Sequence, residues 1–212
     1  MTSTRSGRLA FLASIATLFL AAPAPAGEIR GRLLVSDRSD RPAAGVTVAA
    51  VGWESPGEEA RRETKRGEAP KPFASATSGA DGSFALAVPA EPGKERLFRV
   101  RVEGAGIVPV LFENVYDVSE AEDLGEHLLS RAEKISGAVV DATGAPLAGA
   151  EVVLEPDGGA PGEDAGFRAL ARTVVTGPDG TFRFDEASAT SNRVTVRRDG
   201  LASARASGLR SG

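Results

Sequence analysis

Two patterns of apolar residues divide the chain. Residues 9–20 (LAFLASIATLFL) form one unbroken apolar run, whereas from residue 28 onward apolar positions come in short stretches broken by Gly, Pro and Asp. Alternation with period 2 puts every second side chain on one face of a strand. It predicts strands over residues 29–35, 46–51, 84–88, 97–102 and 107–115, and again over 135–140, 150–154 and 182–184. Residues 123–129 read as a short closing strand in preference to a helix. The corners are equally regular. Pro42 and Gly45, like Pro146 and Gly149, bracket tight reversals, since Pro presets φ and Gly accepts positive φ. Asp81-Gly82 and Asp179-Gly180 are strong hairpin signals. Gly31 and Gly137, inside the first strand of each half, predict a bulge or a close backbone approach. Phe84, Leu86 and Val88, with Phe182 and Phe184, belong on a core face.

These segments repeat in order. Residues 29–37 match 135–141, 41–48 match 145–152, 77–84 match 175–182, and 98–102 match 192–196. Four blocks in the same order predict an all-β chain of two tandem sandwiches, over residues 27–132 and 133–212. Residues 54–72 and 156–165, rich in charge, Gly and Pro, read as solvated loops. The second copy is short. Counterparts of residues 108–115 and 124–129 are missing or poor, and the tail over residues 202–212 is nearly devoid of apolar side chains. The expectation is an incomplete second sandwich with an open edge, in a fragment or truncated frame of a longer tandem-repeat protein.

The motif Gly137-Ala-Val-Val-Asp141, then Gly144-Ala-Pro-Leu-Ala-Gly-Ala-Glu-Val-Val-Leu154, then Thr176-Gly-Pro-Asp-Gly-Thr-Phe-Arg-Phe184 resembles the carboxypeptidase regulatory-like domain. The first copy resembles it more loosely, with Leu33-Leu34 for the Val pair and Ala43-Ala44 for Leu-Ala. The resemblance implies a transthyretin-like (prealbumin-like) β-sandwich, akin in shape to immunoglobulin-like modules. Such domains stand beside catalytic domains in some carboxypeptidases, in tandem in bacterial envelope proteins, and as extensions of outer-membrane transporters. The wider group is described as carbohydrate-binding-like. The motif consists of turn and core residues, so it implies architecture and transfers no active site.

The N-terminal run changes the compartment. Arg5 and Arg8 precede it, and Ala24-Pro25-Ala26 follows it with small residues at the positions a signal peptidase reads. A run of twelve residues, ten of them apolar, is short for a bilayer span of about 20. Residues 1–26 therefore read as a signal peptide. Cleavage after Ala26 leaves 23 basic against 29 acidic residues, a net −6. The expected product is exported to the periplasm, cell surface or medium of a bacterium, with no stable membrane span after cleavage. The 212 residues contain no Cys, so neither disulfides nor thiolate chemistry is available. The acidic balance argues against nucleic acid as partner.

Candidate chemistry is sparse. His127, the single histidine, has no G-x-S-x-G elbow to serve and reads as an exposed strand or loop residue. Asp157 with Glu163 and Asp164, and the pair Glu58-Glu59, match no dense Ca²⁺ loop. Arg61, Arg62, Lys65 and Arg66 form a basic cluster within an acidic loop, best read as a solvated face. Trp53, at the end of the second strand, is either core or rim packing or a lone stacking residue beside a binding loop. The reading is thus of no catalytic residue, no cofactor and no metal. What remains is an exported module for spacing, adhesion or docking of a protein or glycan at the envelope, with Trp53 the one possible ligand contact. A carbohydrate-binding module, or an accessory segment of a larger enzyme or transporter, is the alternative.

Overall fold

The computed structural model describes residues 27–36, 39–65, 67–89, 97–118, 121–157 and 166–210. The proposed signal peptide and Asp37 lie outside them. The first half contains β1 (Gly27–Ser36), β2 (Arg41–Pro42), β3 (Thr47–Gly52), a helix α1 (Pro56–Thr64), β4 (Pro72–Thr77), β5 (Ser83–Val88), β6 (Leu97–Glu103), β7 (Val110–Phe112), β8 (Tyr116–Asp117) and β9 (Glu122–Ser130). The second contains β10 (Ala132–Ala138), β11 (Glu151–Pro156), β12 (Phe167–Ala169), β13 (Arg172–Val175), β14 (Thr181–Ser188), β15 (Asn192–Arg197) and β16 (Ala204–Leu209).

Each half is a sandwich of two sheets. In the first, β1 carries β2 and β5 antiparallel to it and β9 parallel to it; the facing sheet runs β4-β3-β6-β7, with β8 also on β6. In the second, β10 pairs β14 while β13-β11-β15-β16 forms the facing sheet. Alternation explains the cores. Phe84, Leu86 and Val88 of β5 and Phe98, Val100 and Val102 of β6 are buried, and their neighbours face out. The first core gathers nineteen buried residues and the second six, among those described. The closing strand predicted over 123–129 forms as β9, with Leu129 fully buried.

The corners repeat atom for atom. Gly82 N donates to Gly79 O and Gly180 N to Gly177 O; Leu33 N donates to Gly82 O and Val139 N to Gly180 O. Asp81 Oδ1 accepts from Ser83 N and Oγ at 3.0 and 2.7 Å, as Asp179 Oδ1 does from Thr181 N and Oγ1 at 3.1 and 2.7 Å. A buried hydroxyl accompanies each Pro-x-x-Gly reversal: Ser78 Oγ accepts from Val46 N, and Thr176 Oγ1 from Ala150 N. Gly82 and Gly180 sit at φ 82° and 74°, where a Cβ would lie 2.2 and 2.5 Å from the carbonyl oxygens of Leu33 and Val139. The close approach predicted at Gly31 and Gly137 is a ring stacked across the strand pair. Gly31 is in register with Phe84 and Gly137 with Phe182, and a Cβ there would meet the ring at 3.0 or 2.8 Å.

Several expectations are corrected. The segment over 54–72 is not loop throughout: α1 forms in it because Ser55 and Glu58 make a reciprocal N-terminal cap. Ser55 N and Oγ donate to Glu58 Oε2 at 2.9 and 2.6 Å, and Pro56 occupies the first helical position, where its missing N–H costs nothing. Acidic Glu58 and Glu59 in the first turn and basic Arg61 and Arg62 in the last suit the helix dipole. Only residues 110–112 and 116–117 of the span 107–115 and its neighbour are strand, Ile107 making a lone bridge to Arg131. The first strand of the second half is shifted to residues 132–138, and Val140 merely bridges Pro146. Of the loop over 156–165, residues 158–165 lie outside those described, and directly after it β12 leaves the second half to join the first by pairing with β7. The tail does form a strand, β16, antiparallel to β15 although its side chains are mostly exposed. His127 is not exposed. It is half-buried, edge-on to the Phe112 ring with centroids 4.8 Å apart, and burial lowers its pKa.

The two halves share a strand path. Only Arg131 separates β9 from β10, and it is braced by Val108 N donating to Ser130 O and Ala132 N to Gly106 O. No helix among the described residues is long and apolar enough to cross a membrane.

Candidate functional site

The outer face of the first half's larger sheet carries unusual chemistry. Strand register places Ala49, Arg101, Leu111 and Arg168 in one row across β3, β6, β7 and β12, with Val51 and Arg99 paired in the next row but one. Residues paired this way point to the same face. An outward row on a sandwich is normally solvated, but here Ala49, Val51 and Leu111 are buried and the side chains of Arg99 and Arg101 are only 17% and 20% exposed. α1 covers them, and the strap formed by β12, which extends the sheet beyond β7, and the residues leading into β13 closes the side. Between the cover and the sheet lies a cleft of about 170 Å³.

Among the described residues five arginines line it, Arg62 on α1, Arg99 and Arg101 on β6, Arg168 on β12 and Arg172 on β13, with Glu54 and Glu59 as acidic walls. Glu59 and Arg62, three apart on the helix, share the face that meets the sheet. Glu59 is split between two cations, Arg168 by a close hydrogen bond and Arg99 at 3.7 Å. Glu54 accepts from Arg62 Nε at 3.0 Å. Outside the cleft, Glu103 is likewise divided between Arg101 at 3.3 Å and Arg172 at 3.5 Å, and Arg172 also meets Glu186 at 2.7 Å. Arg99 Nε and Arg101 Nε are buried and find no acceptor among the described residues. A buried donor without a partner costs about 1–3 kcal/mol, more when charged. The cleft floor is apolar, from Val51, Leu111, Leu170, Pro70, Ala69 and Ala171.

Trp53 stands next to this cleft without lining it. Gly52 and Glu54 on either side face the cleft, and Trp53 points away, 39% exposed, with its backbone N–H on Leu97 O at 3.0 Å. The acidic candidates are engaged elsewhere. Glu58 caps α1, and its hydrogen bonds from Ser55 hold its pKa below the usual range. Asp157 accepts from Arg193 at 3.3 Å and from Gly208 N at 3.0 Å; Glu163 and Asp164 lie outside the described residues. The arginine cleft itself was missed in the sequence. Its one legible sign is Arg99 and Arg101 alternating with Phe98, Val100 and Val102, which marks them as outward and says nothing of a cover.

The four-block motif finds its counterpart among known proteins. Residues 134–211 match the model of the carboxypeptidase regulatory-like domain. No curated protein matches the chain. Solved structures match it only weakly. The streptococcal ancillary pilin is 13% identical, covering 84% of this chain and 58% of its own, with TM-score 0.28. The shaft pilin SpaA of Lactobacillus rhamnosus GG is 11% identical, covering 87% and 93%, with TM-score 0.31. GBS52, the minor pilin of Streptococcus agalactiae, is 15% identical, covering 87% and 91%, with TM-score 0.30. Likeness at this level says nothing of what the present chain binds or does.

Proposed function

We propose that the chain is a non-catalytic, exported module of two carboxypeptidase regulatory-like units, residues 27–132 and 133–212, that spaces or docks partners at a bacterial envelope. One observation carries this reading. The units are joined without a linker: β9 runs into β10 through Arg131 alone, and β12 of the second unit is hydrogen-bonded into a sheet of the first. Two connections at separate points resist hinge motion, which suits a spacer. The recurring corner network supports reading the first half, where the motif is looser, as a copy of the second. On this reading residues 1–26 are removed during export.

Distance measurements between spin labels at Ser83 and Ser203 test the spacer. A single narrow distribution is expected, and Arg168→Gln, which releases the strap from Glu59, should broaden it. A broad distribution in the unmodified chain, or turnover on a panel of esterase, peptidase and glycosidase substrates, overturns the proposal. The exposure of Trp53 favours one second reading, a carbohydrate-binding module. Retention on a glycan array that disappears in Trp53→Ala would establish it, and an empty array would remove it.

A further inference from the structure

We propose that the arginine cleft is a binding site for a small organic carboxylate, an oxyanion carried on a short apolar stem. Four observations lead there. First, among the described residues five guanidiniums line the cleft with two carboxylates, and even with Glu103 and Glu186 just outside it the arginines outnumber the acids that pair with them, so the enclosed space favours negative charge. Second, two of the acids that neutralise the arginines are shared, Glu59 between Arg99 and Arg168 and Glu103 between Arg101 and Arg172, so that Arg99 and Arg101 each hold only part of one carboxylate among the described residues. Third, Arg99 Nε–H and Arg101 Nε–H are buried without an acceptor among the described residues, on side chains two apart along one face of β6. Planar guanidinium edges of this kind match the two oxygens of a carboxylate. Fourth, Val51, Leu111 and Leu170 offer an apolar floor that a bare inorganic anion would leave unused. The volume of about 170 Å³ admits a compact acid.

The site extends the docking role proposed above without depending on it, because the cleft is formed wherever α1 covers the sheet and β12 extends its edge. A ligand here would touch both halves, through Arg99 and Arg101 of the first and Arg168 of the second, and so tie the strap down further.

Isothermal titration of the purified chain with succinate, succinamide and sulfate is the test, with circular dichroism confirming the fold of each variant. Saturable binding of succinate at one site is expected, with succinamide and sulfate at least tenfold weaker. Arg101→Gln should weaken succinate at least tenfold. Glu54→Gln, which removes a wall carboxylate while keeping its shape, should tighten it several-fold; arginines serving only to hold the layers together would give no such gain. If Arg101→Gln fails to fold, the rise of the unmodified chain's melting temperature with succinate and not with succinamide serves instead. Absence of succinate binding, equal binding of sulfate, or affinity unchanged by Glu54→Gln overturns the proposal.

Discussion

The two halves of the chain use the same corners and reach unequal cores. Asp81 and Asp179, Gly82 and Gly180, Ser78 and Thr176 make matching hydrogen bonds. Yet Phe84 is 6% exposed over Gly31, whereas Phe182 over Gly137 is only partly buried. The difference lies in what covers the sheets. The first half has β9 on the free edge of β1, β12 on the edge of β7, and α1 on the outer face of the larger sheet. Among the described residues the second half has only β14 beside β10 and the mostly exposed β16 at its rim, and Val140 and Val175 are left 54% and 65% exposed. Local turn chemistry therefore fixes the path of each half, and the extra layers decide how much apolar surface leaves water.

The comparison breaks most sharply in the cores. Phe98→Ala removes a fully buried ring and should cost about 3–5 kcal/mol, while Phe184→Ala, in the smaller core, should cost less. Urea denaturation of each variant checks this; equal losses would mean that the halves are equally consolidated. Next come the glycine corners. Gly82→Ala and Gly180→Ala force a Cβ against a carbonyl at positive φ and should each cost about 2–3 kcal/mol. Here the two halves should agree, since the corners are the same, and a large disparity would separate them.

How much of this was legible follows from how local each feature is. The Asp-Gly and Pro-x-x-Gly corners and the alternating core residues depend on neighbours in sequence, and Gly within a strand pattern is a local sign of a close approach even though the ring that makes it, Phe84 or Phe182, comes from another strand. The cap of α1 was equally local in Ser55 and Glu58, but the surrounding density of charge and Gly read as loop. β12 and the arginine cleft are different in kind. Arg168 meets Glu59 across 109 positions, and no pattern around either residue announces the other. His127 was misread for the same reason, since its cover, Phe112, comes from the facing sheet.

The smallest expected effect is on acid stability. Hydrogen bonds from Ser83, Thr143 and Thr181 hold the carboxyls of Asp81, Asp141 and Asp179 below their ordinary values. A lowered native pKa adds stability above the unfolded value near 4 and loses it as pH falls through the native value. The acid unfolding midpoint should therefore rise in Asp81→Asn and Asp179→Asn alike, and a rise in only one would show that the corners are not equivalent.

Hydrogen exchange followed by mass spectrometry tests the central claim most directly, that one corner network is used twice under unequal cover. Peptides spanning β1, β3 and β6 should exchange more slowly than those spanning β10, β11 and β15, with the corner amides of Gly82 and Gly180 protected in both halves. Equal protection of the two sets of strands, or faster exchange in β3 and β6 than in β11 and β15, would contradict it.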